Sequence, residues 1–450
     1  MSFLGVSMAE PGNTVREPAR EIPVLAETDV VVCGGGPAGV GAALAAARNG
    51  ARVMLVENQI CLGGMATSGL MNRLGPYHDQ RDTIVGGIPL EVVSRLVDMG
   101  AARRPEPCPR DQPDRYWVPF DPEALKVLLD DLAEEAGVEL LLGGRAAGVV
   151  ADADDLKGIF IEGKAGRQAI LARVVIDATG DGDVAALAGA PCVMGREGDG
   201  LTQPISLMSK AHNHDLAATK AYIGEHLDRL LGEAAAEGAP SRIAAGTDNL
   251  LRDDESYFNV NHVFGSDATD PRQLTRAAVA ARRQVWRNLQ FLRRHVPGCA
   301  QAYLAATASL LGVRESRRVL GDYVLTGEDV LEARQFPDQI ARYACWIDIH
   351  TVDPDSKPGP LVGKGPAPGT SYGIPYRCLL PKRIDNLLVA GRCLSATHEG
   401  LASARMMPCC MAMGQAAGTA AALCVEEAVA PRALDTERVR TRLRAQGAVL

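Results

Sequence analysis

Residues 29–57, DVVVCGGGPAGVGAALAAARNGARVMLVE, leave a chain few ways to fold. A short apolar strand at 29–33 runs straight into GGGPAG. A helix of small residues follows and ends at Gly50, a natural helix stop. A second strand, RVMLVE, then closes on an acidic residue. Gly34, Gly36 and Gly39 form GxGxxG in a strand–turn–helix setting. In that setting the first glycine permits the tight turn, the second lets a pyrophosphate approach the backbone, and the third brings helix and strand together. Pro37 and Ala38 open the helix, whose unpaired N–H groups face the phosphates, and Ala43 is the next small residue along it. Glu57 is placed to bond both hydroxyls of an adenosine ribose, and its charge disfavours a 2′-phosphate. The motif predicts a bound dinucleotide and disfavours NADP.

Two further stretches narrow the ligand. Gly63 and Gly64 form a second diglycine six residues beyond the acidic strand end, with Met65 next to them. Simple NAD dehydrogenases lack this diglycine, and FAD-binding chains carry it. The strand RVVIDATGDGD ends in a glycine turn that brings Thr179, Gly180 and Asp181 beside the nucleotide. Far along the chain, residues 386–423 read NLLVAGRCLSATHEGLASARMMPCCMAMGQAAGTAAAL. We read a last strand of the same sheet, with Gly391 and Arg392 at its end and Ser403 in the following turn, all beside the cofactor. The helix after that turn is expected to aim its N-terminus at the cofactor. Its small residues would let it pack closely, and its positive end would stabilise negative charge on a reduced flavin ring.

The bulk composition excludes several other classes. With 450 residues, 47% hydrophobic and 23% charged, the chain is globular and long enough for two domains. A net charge of −8 and only 4% aromatics argue against nucleic-acid binding, and no stripe of Lys or Arg is rich enough to overturn that. The eleven cysteines show no CxxC pair and no regular spacing. They fit neither a disulfide framework nor a metal or iron–sulfur site, and they fit a reducing cytoplasm. Residues 1–27 read as a flexible leader without the basic end and apolar core of a signal peptide. The uncharged run 406–425 is made largely of Ala, Gly, Cys, Thr and Gln rather than Leu, Ile and Phe, which suits a helix buried in protein rather than in lipid.

Taken together, these segments resemble the bacterial FAD-dependent oxidoreductases distantly related to the fumarate reductase and succinate dehydrogenase flavoproteins. Besides the nucleotide motifs, GVRESRRVLGDYVLTGEDVL, IDIH and IPYRCLLP carry the resemblance, which covers about residue 29 to the C-terminus. It implies an α/β fold: a Rossmann-like FAD domain of the glutathione-reductase-2 type with an inserted α+β substrate domain. We assign 28–76, 118–199 and 371–450 to the FAD domain, and 77–117 and 200–370 to the substrate domain. Fumarate reductase relatives often attach FAD through a His after the first βαβ unit. Residues 63–71 hold none, so non-covalent FAD is expected, with His78 and Cys61 as the nearest alternatives. The chain has no CxxxxC redox pair, no second GxGxxG and no GDAAH segment.

A flavin dehydrogenase needs a base for the proton that leaves with the hydride. His398, in the turn before the small-residue helix, is the first candidate; a simple hydrogen bond to the turn or the flavin is the plain alternative. His350 in IDIH and His262 in NVNHVF come next, and no metal site is expected at His212 and His214. Arg405, read as lying in the first turn of the last helix, opposes the helix dipole there and so suggests a nearby anion. That anion would be the flavin pyrimidine edge or a substrate carboxylate. Arg314, in the cluster with Glu315, Arg317 and Arg318, either pairs with a carboxylate or, by analogy with fumarate reductases, faces an anionic substrate. The expected activity is oxidation of a small-molecule substrate by hydride transfer to flavin N5, with electrons leaving to oxygen, a quinone or a carrier protein. Reduction of an activated double bond is the first alternative and flavin hydroxylation a weaker one. From another class comes a non-catalytic binding protein on the same fold, which the intact FAD motifs argue against. Oligomeric state stays open, a homodimer being the commonest arrangement.

Overall fold

A computed structural model describes residues 14–152, 155–237, 247–248, 255–353 and 359–450. Residues 1–13 of the expected leader lie outside these, as do residues 354–358 of the Pro/Gly-rich loop. The architecture is α/β, built on a seven-stranded sheet with a parallel centre. Strand β1 (Val24–Cys33) pairs in parallel with β2 (Val53–Glu57) on one side and with the strand Gly166–Asp177 on the other. The strand Glu139–Leu142 extends the sheet beyond β2. The strand Leu387–Val389 runs parallel to the end of Gly166–Asp177, at Val175–Asp177. The other half of that edge is taken by an antiparallel meander, Arg145–Asp152 and Asp155–Gly163. The chain therefore returns at residue 387 to the sheet it began, as the sequence pattern required.

Helix α1 (Pro37–Arg48) connects β1 to β2 and packs along the helix Met407–Glu427. Glycine makes that approach possible. A Cβ on Gly414 would lie 1.9 Å from the Ala38 carbonyl oxygen, one on Gly418 2.0 Å from that of Ala42, and one on Gly41 2.3 Å from that of Met411. The two backbones are in direct contact, which explains why residues 406–425 carry so few large side chains. The same helix is apolar and long enough to cross a membrane by length and composition, yet 89% of its most apolar window is buried in protein.

The inserted part has a sheet and a core of its own. Thr247–Asp248, Glu255–Phe258, Ser209–His212 and Tyr303–Thr307 form an antiparallel sheet. The helices Leu216–Ala236 and Pro271–His295 cover it, burying Ile223, Leu230, Phe258, Leu289, Phe291 and Leu292 together.

Three local expectations change. The first strand begins at Val24 rather than 29, because Val24–Thr28 finds partners at Ala169–Ala172 although it is not an apolar run. Tyr77, Ile84, Val85, Val92 and Leu96, in the stretch assigned to the substrate domain, pack in the main core against the helices flanking the sheet. The segment after residue 397 forms two helices, His398–Ala404 and Met407–Glu427. Arg405 is the C-cap of the first, not a first-turn residue of the second. A cation there complements the helix dipole, so the expected electrostatic conflict does not arise.

Candidate active site

The nucleotide end is built from backbone. Gly34 has φ of +102°, and a Cβ there would sit 2.5 Å from the Ala178 carbonyl oxygen. A Cβ on Gly39 would lie 1.7 Å from the Gly34 carbonyl oxygen, so this glycine closes helix onto turn. Gly36 differs, since a Cβ there would meet nothing within 4 Å. That open position, at the N-cap of α1, is where a pyrophosphate can approach the backbone. Glu57 is buried, and its carboxylate accepts the Gly35 N–H at 2.5 Å and the Gln59 N–H at 2.7 Å. Both bonds hold it at the end of β2, facing the turn. The role of Gly35 was missed in the sequence because it is the unspecified position of GxGxxG.

The second diglycine docks on the first. The Gly63 N–H donates to the Gly35 carbonyl at 2.8 Å, and a Cβ on Gly64 would be 3.0 Å from the Gly36 Cα. Gly63 and Gly64 both have positive φ, at +98° and +52°. Met65 sits against the inserted part, its Cε about where it would touch a Cβ on Gly312, at 3.5 Å.

Asp177, at the end of Gly166–Asp177, is fully buried. Its carboxylate takes the Thr179 N–H and hydroxyl (3.1 and 2.7 Å) and the Ala185 N–H (2.9 Å). Burial raises its pKa, against the pull of these donors. The turn it anchors places Asp181 opposite Arg392, Nη2 to Oδ1 2.7 Å. Arg392 also donates to the Ser316 hydroxyl at 2.7 Å, and Arg317 donates to the Asp181 carbonyl at 2.8 Å and pairs with Asp183. Gly180 lies under the Arg392 guanidinium, and Gly391 is close against Ala38, since a Cβ on Gly391 would lie 2.9 Å from that of Ala38. Ser403 is turned into the core, donating to the Cys345 carbonyl at 2.6 Å beside the Tyr372 hydroxyl.

The RESRR segment is the seam between the two parts. Ser316 and Arg317 reach the sheet edge, whereas Arg314 reaches the inserted part, donating to the Pro204 carbonyl (2.7 Å), the Ser206 hydroxyl (2.6 Å) and the Asn259 amide oxygen (3.3 Å). Glu315 is buried between them. It pairs with Arg318, accepts the Gln203 N–H at 3.2 Å and holds His398 Nδ1 at 2.8 Å. Arg318 in turn donates to the Ala396 and Gly195 carbonyls at 2.9 and 2.7 Å, and burial lowers its pKa while Glu315 pulls the other way. Gln203 continues the network by accepting the His350 N–H at 3.2 Å. His350 Nδ1 lies 3.0 Å from His262 Nε2, and Asp348, two residues earlier, accepts from Arg405 at both its carbonyl (2.8 Å) and its carboxylate (3.1 Å).

All four expected catalytic residues, His398, His350, Arg405 and Arg314, thus join one polar seam. Glu315, Gln203, Asp348 and Ser316 complete it. The sequence offered no signal for Gln203, whose partners Glu315 and His350 lie 112 and 147 positions away. Ser316 went unremarked inside the RESRR segment, its partners Asp181 and Arg392 being 135 and 76 positions away. His78 and Cys61 are elsewhere engaged: His78 is buried, accepts the Gln80 N–H at 3.1 Å and faces the Cys108 sulfur, and Cys61 Sγ lies 3.3 Å from the Ser68 hydroxyl.

A profile of the FAD-dependent oxidoreductases matches residues 29–443. The chain belongs to that family. FAD is its cofactor, and the open Gly36 position, the buried Glu57 and the interlocked diglycines suit it. Among solved structures, this FAD-dependent oxidoreductase resembles a geranylgeranyl bacteriochlorophyll reductase-like protein from Thermoplasma acidophilum (12% identity, 94% of this chain and 84% of that one, TM-score 0.43). A flavin-dependent brominase matches at 11% identity over 93% and 83% (TM-score 0.45), and an anhydrotetracycline hydroxylase from Streptomyces rimosus at 14% over 93% and 66% (TM-score 0.39).

Proposed function

We propose that this oxidoreductase oxidises a small molecule bound between the sheet edge and the inserted part, with His398 as the base. The buried Glu315–His398 pair carries the reading. An ionised carboxylate only accepts, so the proton of a neutral His398 is on Nδ1 and its Nε2 is left as a lone pair. Among the described residues no hydrogen bond occupies that nitrogen. Oxidation of a carbon bearing a hydroxyl or amino group releases a hydride and a proton. FAD supplies the hydride acceptor when bound. His398 Nε2 receives the proton, and the Glu315–Arg318 pair steadies the imidazolium that results. Double-bond reduction would need Arg405 or Arg314 to polarise the substrate. Pro204, Ser206 and Asn259 engage Arg314, and Asp348 engages Arg405 through Nη2, which leaves the buried Arg405 Nε to that second reading. We further propose that the flavin is held without a covalent bond, since His78 and Cys61 are tied up locally.

The test begins with an absorption spectrum of the purified protein before and after acid precipitation. A yellow supernatant supports non-covalent FAD, whereas colour in the pellet means a covalent link. Anaerobic mixing with a panel of alcohols, hydroxy acids, sugars and amines then identifies the compound that bleaches the flavin. His398→Asn should keep its flavin yet bleach about 100-fold more slowly. A variant that bleaches at the wild-type rate would remove His398 from the chemistry.

A further inference from the structure

We propose that the outer face of the helix Pro271–His295 is the docking surface for a small acidic protein that takes the electrons from this enzyme; the electron-taking role rests on the function proposed above. The helix contains seven arginines and no Asp, Glu or Lys. Removing those charges from the net −8 leaves −15 on the remaining chain, so positive charge is concentrated here on an acidic molecule. The periodicity of the helix separates its two faces. Ala277, Ala281, Val285, Leu289 and Leu292 are buried, while Arg276, Arg282, Arg283 and Arg293 are exposed. Trp286 stands in the middle of that basic face, 55% exposed.

An exposed Trp ringed by Arg has the composition of an interface centre rather than of ordinary surface. Guanidinium groups match carboxylates in paired geometry, which suits a protein partner rich in Asp and Glu. A membrane fits less well, because the apolar side of the helix is committed to the inserted core and only Trp286 remains to enter lipid. Nucleic acid fits poorly as well, since a long polyanion would run off this one helix onto acidic surface.

The inner side of the helix explains why electrons would leave here. Ala281 and Val285 share a small core with Leu70 and Met71, just beyond the Gly63–Gly64 turn. Gln284 donates to the His262 carbonyl at 3.2 Å, and His262 meets His350 in the polar seam. One helix diameter, about 10 Å, therefore separates the basic face from the wall of the site. Each substrate oxidation leaves two electrons and two protons in the site, one proton carried within the hydride and the other held on His398. Two carrier molecules, each accepting one electron, take the electrons in succession, and both protons leave to water.

A plant-type ferredoxin, small, acidic and one-electron, is the probe. Its binding to the FAD-loaded enzyme is measured by fluorescence anisotropy at low and physiological salt. Because a plant-type ferredoxin has too low a potential to oxidise a substrate-reduced flavin, electron transfer is read separately. Stopped flow follows photoreduced, dithionite-free enzyme as it reduces cytochrome b5, an equally small and acidic one-electron carrier of higher potential. We expect binding that weakens with salt, about tenfold weaker binding and slower reduction in Arg276→Glu/Arg283→Glu, and a comparable loss in Trp286→Ala. An independent pair, Arg282→Glu/Arg293→Glu, should repeat the result if the first variant is unstable. The proposal is overturned if ferredoxin does not bind, if the variants bind it like wild type, or if basic cytochrome c serves equally well. Tight Trp286-dependent binding to phosphatidylglycerol vesicles or to duplex DNA in place of ferredoxin overturns it too. Binding without any flavin in the protein would sink the oxidation reading alone, because anisotropy needs no flavin.

Discussion

At the residue scale, two buried carboxylates, Glu315 and Asp177, sit in contrasting surroundings. Glu315 and His398 are 83 positions apart, and only the folded chain makes them a pair. Glu315→Gln tests that pair directly. An amide can still contact Nδ1, but it cannot hold a charged imidazolium, so flavin content should survive while the rate of flavin reduction falls at least tenfold. An unchanged rate would leave Glu315 as structure alone. Asp177 offers the contrasting case of a purely structural carboxylate. Every partner of its two oxygens is a donor, so Asp177→Asn would set an NH₂ group against a backbone or hydroxyl donor in a buried site. We expect it to lose about 1–3 kcal/mol of stability, read as a lower urea midpoint. The nucleotide half of the site was legible in the sequence and the catalytic half only partly so, because Gly34, Gly36, Gly39 and Glu57 lie in one short local unit, where residue type and spacing determine the geometry.

At the scale of elements, close packing decides what the sequence could reveal. The abundance of Ala and Gly in residues 406–425 pointed to a tightly packed helix, and Gly414 and Gly418 against Ala38 and Ala42 are the reason. Gly418→Val should therefore prevent docking on α1 and yield insoluble or flavin-free protein, as judged by the soluble fraction and the visible spectrum. Gly224→Ala is the control. It lies in the helix Leu216–Ala236, where a Cβ meets nothing within 4 Å, and it should be neutral or stabilising by up to about 1 kcal/mol. The break between His398–Ala404 and Met407–Glu427 was missed, since small residues run through it on both sides and mask its one signal. Pro408, in the first turn of the second helix, is tolerated only near a helix start and so favours a restart there.

At the scale of the whole molecule, two separate cores each bury a neutral histidine. His78 lies in the region around the main core and His214 in the inserted part, where its Nε2 meets the Ser256 hydroxyl at 2.7 Å. Burial lowers both pKa values from 6.5. Asp79 opposes the shift at His78; at His214 the charge of His212 adds to it and Asp215 opposes it. The unfolded chain therefore binds protons that the native state resists. Stability should be full above about 6.5 and fall as pH drops through the lower native values. The observable is Tm of the FAD-loaded protein against pH, with a decline of a few degrees beginning below about 6.5. His78→Phe and His214→Asn should each flatten part of that decline. Because FAD binds only the folded state, excess FAD should raise Tm across the whole range, by the equivalent of about 2.7 kcal/mol at a hundredfold excess over Kd. A decline that both substitutions leave untouched would place the acid-sensitive group elsewhere, while an unmoved Tm on adding FAD would mean that the cradle is already filled or does not bind it.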